Sequence, residues 1–323
     1  MKNMNRNNVL SAIFLLVGLG TAQAQVNILN AKTPQEIGVK SEQQKMLEND
    51  NPLPYGYVNE SRDILYGKMV WEIIDLEQRA NLPLYYPIED NLGAERRSLF
   101  NVLITAIEEG DITEVYDDSY FRTKKTLEEI KTNFQAKELT DEGKDLEMLY
   151  ATNYPELMGQ ELTKKLEEEG ILSDVHFFVE RVKGDDVIQY KIKGYWYFDA
   201  RLGELKYRLL GICPLAPGAL DKIRAAQNNT EPEPAELFWV YFPDARKTLH
   251  KALAFNGANS ASPFNFDHLL NSRRFQATIY QVENVYGDRK IEEYFRDNAQ
   301  HQLLESERVK ESIRNFEQDM WSY

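Results

Sequence analysis

From Val175 to Cys213 apolar residues tend to recur at every second position, and this alternation constrains the fold more than any other stretch of the 323-residue chain. The runs VHFFVERV, VIQYKIK, YWYFDA and LKYRLLGIC follow one another, punctuated by Gly184-Asp185-Asp186 and by a short loop containing Gly203. A period of two belongs to strands, and short turns join antiparallel neighbours. Four successive antiparallel strands are expected. Beyond Pro214 to Gly218 and the polar NNTEPEP loop, FWVYFPDAR, from Phe238 to Arg246, reads as a fifth.

The flanking sequence has helical spacing. Ser61 is a plausible N-cap, and DILYGKMVWEIIDLEQ, ending at Asn81-Leu82-Pro83, reads as a helix whose apolar residues spread over two faces. Leu99, Val102, Leu103, Ala106 and Ile107 mark a one-sided helix from Glu95 to Glu109, stopped by Gly110. A short β segment, Asp111 to Tyr116, and charged helices around Thr126 to Phe134 and Leu157 to Glu169 follow. From Asp288 the helical period returns as two helices, the last rich in charge. The expected fold is α+β, with a helical N-terminal half, a central antiparallel sheet of about five strands and C-terminal helices. Residues 61–300 form the main domain and 301–323 a terminal helix.

Lys2 and Arg6, an apolar run from Val9 to Leu19 and Ala22-Gln23-Ala24 read as a signal peptide over residues 1–24. As a helix the run reaches about 16 Å, half a bilayer core. The single cysteine, Cys213, rules out a lipid-modified cysteine at position 25. The expected product is exported and soluble, with no direct membrane anchor, and residues 25–60, with Pro34, Pro52 and Pro54, form an extended arm. Cleavage moves the formal charge from -14 to -16, which disfavours nucleic acid, whose affinity comes from Lys and Arg on phosphates. Cys213 has no disulfide partner and reads as a buried small hydrophobe.

Catalytic signals are weak. His176, His250, His268 and His301 show no zinc spacing, and no serine or cysteine sits in a nucleophile elbow. The acidic pairs Glu108-Glu109, Asp117-Asp118, Asp185-Asp186 and Glu292-Glu293 arise readily in a chain with 52 acidic residues and read as solvated surface. Neither metal nor cofactor is expected.

The segment YKIKGYWYFDARLGELKYRLLGIC, Tyr190 to Cys213, mixes aromatic and basic residues. If the Gly203 loop pairs residue 199 with 205, then 197 meets 207 and 196 meets 208. That register stacks Tyr197 beside Tyr207 and sets Trp196 and Phe198 beside Arg208 and Lys206 on the other face. Aromatic planes among cations match the composition of protein interfaces. Lys191, Lys193, Trp196, Phe198, Lys206 and Arg208 are therefore candidate interface residues. A half-exposed sheet covered by basic stems explains the same residues. A third reading is a periplasmic carbohydrate-binding or carbohydrate-active protein, with Trp196, Tyr197 and Trp239 as sugar platforms and an acidic pair as acid and base.

RDILYGKMVWEIIDLEQRANLPLYYP, RSLFNVLITAIEEGDITEVYDD, IKGYWYFDARLGELKYRLLGICPLAPG and FWVYFPDAR together resemble the GldN/PorN family of gliding-motility and type IX secretion proteins of the Bacteroidota. The likeness runs from about Arg62 to about Tyr294. It implies a periplasmic, non-enzymatic subunit that forms a large ring with an outer-membrane lipoprotein of the GldK/PorK type, in a machine driven by an inner-membrane motor whose periplasmic part is a further partner. It implies no catalytic residue. It favours the docking reading of the Tyr190 to Cys213 segment.

Overall fold

In the computed structural model, which describes residues 52–88, 97–154, 157, 159–255, 264–296 and 298–321, Ile64–Asp75 is a strand (β1) and not the expected helix. Its apolar residues point two ways because β1 lies inside the sheet, between two other strands, with both faces covered. Val70 and Ile74 are fully buried, and Trp71, of opposite parity, is buried on the other side. The long β-branched and aromatic side chains of this run suit a pleated surface better than a helix. The signal peptide and the arm up to residue 51 lie outside the described residues.

The chain continues through α1 (Leu99–Glu108), β2 (Val115–Tyr116), β3 (Lys124–Lys125), α2 (Leu127–Phe134), β4 (Gln135–Leu139), α3 (Asp141–Ala151), α4 (Gln160–Glu168), β5 (Phe177–Arg181), β6 (Gln189–Asp199) and β7 (Glu204–Ala216). Then come α5 (Ala219–Asn228), β8 (Ala235–Glu236), β9 (Trp239–Tyr241), α6 (Phe242–Lys251), β10 (Leu253–Ala254), β11 (Phe264–Asn265), α7 (Phe266–Asn271), β12 (Thr278–Val282) and α8 (Ala299–Trp321). The α+β class holds. The central sheet is larger than expected: eight antiparallel strands in the order β12-β1-β6-β7-β9-β2-β3, with β8 also on β7.

Several strands differ from the sequence reading. VIQYKIK and YWYFDA are one strand, β6, because Gly194 serves as a close-packing position beside a bulge in the pairing with β7 and not as a turn. VHFFVERV supplies β5, which pairs with β4 in a separate ribbon and does not enter the main sheet. FWVYFPDAR gives only the three residues of β9 before Pro243 opens α6, where a fixed φ and a missing N–H suit the first helical turn.

Two of the expected helices, α1 and α2, carry clear caps, whereas α3, capped by Thr140, was not expected. The Ser98 hydroxyl accepts from the Asn101 N–H to start α1, and Thr126 and Glu129 form a reciprocal capping box on α2. At the C-terminal end a short turn, Ile291–Tyr294, precedes α8, giving the two helices expected.

One face of the sheet carries Ile74, Tyr190, Ile192, Leu209 and Ile212 against α1, α5, α6 and α7, in the largest apolar cluster. Farther along that face Val70 and Ile279 meet Ile313 of α8. On the opposite face Trp71, Tyr116, Trp239 and Cys213 cluster. The β4–β5 ribbon, α3 and α4 form a lobe with a core of its own around Leu162, Leu166, Leu172 and Phe177.

Candidate protein interface

The β6–β7 hairpin closes through residues 200–203, with Gly203 at φ +65° and its N–H donating to the Asp199 carbonyl at 2.8 Å. This turn pairs Asp199 with Glu204, Tyr197 with Lys206 and Trp196 with Tyr207, one residue out of the expected register. In a sheet such a slip exchanges the faces. Trp196 therefore lies beside Tyr207, ring centroids 5.0 Å apart, and not beside Arg208. Lys206 and Arg208 join Tyr195 and Tyr197, which stack at 6.0 Å, on the other face.

The six expected interface residues consequently do not form one wall. Phe198 is buried and meets Phe316 of α8 edge-on. Trp196 is half-buried, with the Arg273 guanidinium 5.0 Å from its ring. Lys193 is buried; its ammonium donates to the Ser119 carbonyl at 3.0 Å and lies 4.5 Å from the Tyr120 ring and 4.9 Å from that of Trp71. Burial pulls its pKa down, and the carboxylates of Asp288 and Asp118 oppose that shift. Lys191 is paired with Glu236 at 2.8 Å. Lys206 and Arg208 alone reach an open cleft.

That cleft, about 590 Å³, runs between the first half of β7, α6 and α7, with the irregular segment Leu53–Val58 as a third wall. The ring of Tyr55 lies between two guanidinium groups, Arg208 at 4.5 Å and Arg246 at 4.1 Å, and its hydroxyl donates to Asn271 Oδ1 at 3.0 Å. Burial raises the Tyr55 pKa. Arg246 in turn makes a buried two-pronged pair with Asp267, at 2.8 and 3.1 Å. Arg201 binds Asp199 and Asp63 and donates to the Tyr57 carbonyl at 3.0 Å. Among the described residues Arg208 has no carboxylate partner. Neither Tyr55 nor Asp267 stands out in the sequence, since nothing local marks an arm tyrosine as meeting Asn271, 216 positions away, or a helix aspartate as the partner of Arg246, 21 positions before it.

These contacts disfavour sugar chemistry. Trp239 is fully buried, and Trp196 and Tyr197 face opposite sides of the sheet, so the three share no platform. Asp199 is held by hydrogen bonds from Arg201, which keep its carboxyl below the usual range and unsuited to act as a general acid at neutral pH. Among the described residues no cluster of His, Cys, Asp and Glu has metal-binding geometry, and no helix is long and apolar enough to cross a membrane.

In a comparison with known families the chain matches the family described as "Gliding motility associated protein GldN", over residues 59–322. No curated protein matches.

Proposed function

Because the chain belongs to the GldN family of gliding motility associated proteins, we propose that it is a non-enzymatic structural subunit of the type IX secretion and gliding machinery. In this reading it works in the periplasm, is held at the outer membrane by a lipoprotein of the GldK/PorK type, and assembles with its own copies into a large ring. The periplasmic part of the inner-membrane motor is a further partner. The observation that carries the reading is the extent of the match, which takes in every element from β1 to α8. The cleft supports it, since its aromatic and arginine lining has the composition of a protein contact and its carboxylates are engaged by arginines.

Affinity capture of the chain from cell envelopes, followed by electron microscopy of the captured particle, tests the proposal. Ring-shaped particles containing the lipoprotein are expected. Deleting the lipoprotein should release the chain into the soluble periplasm or expose it to proteolysis, and should stop secretion. A chain that stays monomeric with the lipoprotein present, or that turns over a glycan alone, overturns the reading.

A further inference from the structure

Charge is unevenly spread over this molecule. Residues 135–181, which make up the lobe, hold twelve Asp and Glu against five Lys and Arg, a net charge of -7, half of the whole chain's -14. On α3 the outward residues Asp141, Asp145, Met148 and Leu149 follow the spacing i, i+4, i+7, i+8 and so share one helical face. All four are exposed, Met148 at 80% and Leu149 at 66%. Lys144 approaches Asp141 at 3.8 Å, and among the described residues Asp145 has no cation partner.

The cleft has the complementary character. Arg208, Lys206 and Arg246 line it beside the rings of Tyr55 and Tyr197, with Arg208 free of any described carboxylate. The two surfaces lie toward opposite ends of β7. Arg208 is near its start, and the lobe packs through β4 and β5 on α5, which begins three residues after β7 ends. The nine residues from Arg208 to Ala216, eight steps along the strand, alone span roughly 25 Å at a strand's rise. One copy therefore cannot bring its own lobe to its own cleft.

We infer that the cleft receives the acidic, apolar-tipped face of α3 from a second copy of this chain, in a head-to-tail contact. The inference rests on the self-assembly reading above and names the two surfaces involved. Asp141 and Asp145 approach Arg208 and Lys206, and Met148 and Leu149 lie against the tyrosine rings. A head-to-tail contact leaves one lobe and one cleft unused at the ends of any short chain of copies, and it closes when the rotation per copy divides a full turn. The chain's net negative charge opposes contacts between two acidic surfaces, so a pairing of unlike ends favours one direction of assembly.

The test uses two charge reversals in the full exported chain, Arg208→Glu in the cleft and Asp145→Lys on the lobe, with circular dichroism to verify folding. Self-association is followed by sedimentation, with and without the lipoprotein. Each variant alone should associate about tenfold or more weakly than the parent, as expected for a reversed contact charge, and added salt should weaken the parent too. Mixing the variants is decisive. The intact lobe of Arg208→Glu fits the intact cleft of Asp145→Lys, and the two substituted surfaces carry exchanged but still opposite charges, so the mixture should associate where each variant alone does not. If the parent associates and the variants match it, or their mixture fails to associate, this contact is wrong while self-assembly stands. If reversal abolishes capture of the lipoprotein and spares self-association, the cleft belongs to the lipoprotein and the inference fails. A parent that stays monomeric in both settings overturns the inference and the assembly reading together. Lys206→Glu provides a second cleft variant should Arg208→Glu not fold.

Discussion

Glu72 is fully buried in the middle of the sheet and is tolerated there through Arg273, whose guanidinium donates to both carboxylate oxygens at 2.8 Å. Tyr207 donates to the same carboxylate at 3.2 Å, and its ring lies 4.1 Å from the guanidinium. Arg273 holds φ +51°, an uncommon conformation for a side chain of its size, so the contact fixes the loop after α7 onto the sheet. Arg273→Ala leaves Glu72 buried and unpaired and is expected to lower unfolding free energy by about 3–5 kcal/mol, read from urea denaturation. A second prediction concerns acid. Hydrogen bonds from Arg62 to Asp63, and from Arg201 to Asp199, hold both carboxyls below their usual range. An unfolded aspartate takes up its proton near pH 3.9, before the folded one does. The stability from these groups is therefore present above about pH 4–5 and lost as pH falls through the folded values. Urea midpoints measured across this range should fall on the acid side, and less steeply in Asp199→Asn. The buried pairs were not legible in the sequence, because Glu72 and Arg273 look like ordinary surface charges until the fold joins positions 201 apart.

At the level of elements, two glycines let tyrosine rings lie flat on the sheet. A side chain at Gly194 would overlap the Tyr207 ring, and one at Gly67 would overlap Tyr195. Gly194→Ala should destabilise by about 1–3 kcal/mol, whereas Gly56→Ala, where nothing lies within 4 Å, should leave thermal unfolding nearly unchanged. The prediction also checks the hairpin register, since only the observed pairing brings Tyr207 across Gly194. The β6–β7 hairpin was legible as alternating strands, but its register was not, because the loop fixes pairing through Gly203 and the Asp199 carbonyl and not through the apolar pattern. Capped helices such as α1 and α2 were legible because their signals are local. β1 was not: an apolar run covered on both faces has no alternation to separate it from a buried helix.

For the molecule as a whole, α8 acts as a cover. Ile313 and Ser306 are buried, the Ser306 hydroxyl accepts from the Ile279 N–H at 2.9 Å, and Phe316 stacks on Tyr66 at 4.4 Å. Truncation after Asn298 would bare Val70, Ile279 and Phe198, each worth about 1.5–3 kcal/mol of burial, and is expected to give a chain that binds a hydrophobic dye and unfolds at lower temperature. The sequence marked this helix by its charge, yet not as part of the fold, since its contacts with β12 and β7 are tertiary; the family match does reach residue 322. The class and the acidic character were plain from composition and spacing. The cleft was not, because it is assembled from Tyr55, β7, α6 and α7. The sole cysteine offers a different kind of handle. Cys213 has no exposed surface, and burial raises its thiol pKa, so it meets reagents neither as an accessible group nor as a thiolate. Any cysteine added to the surface becomes the single site for a maleimide dye or spin label, and distances between copies can be measured without first stripping the native thiol.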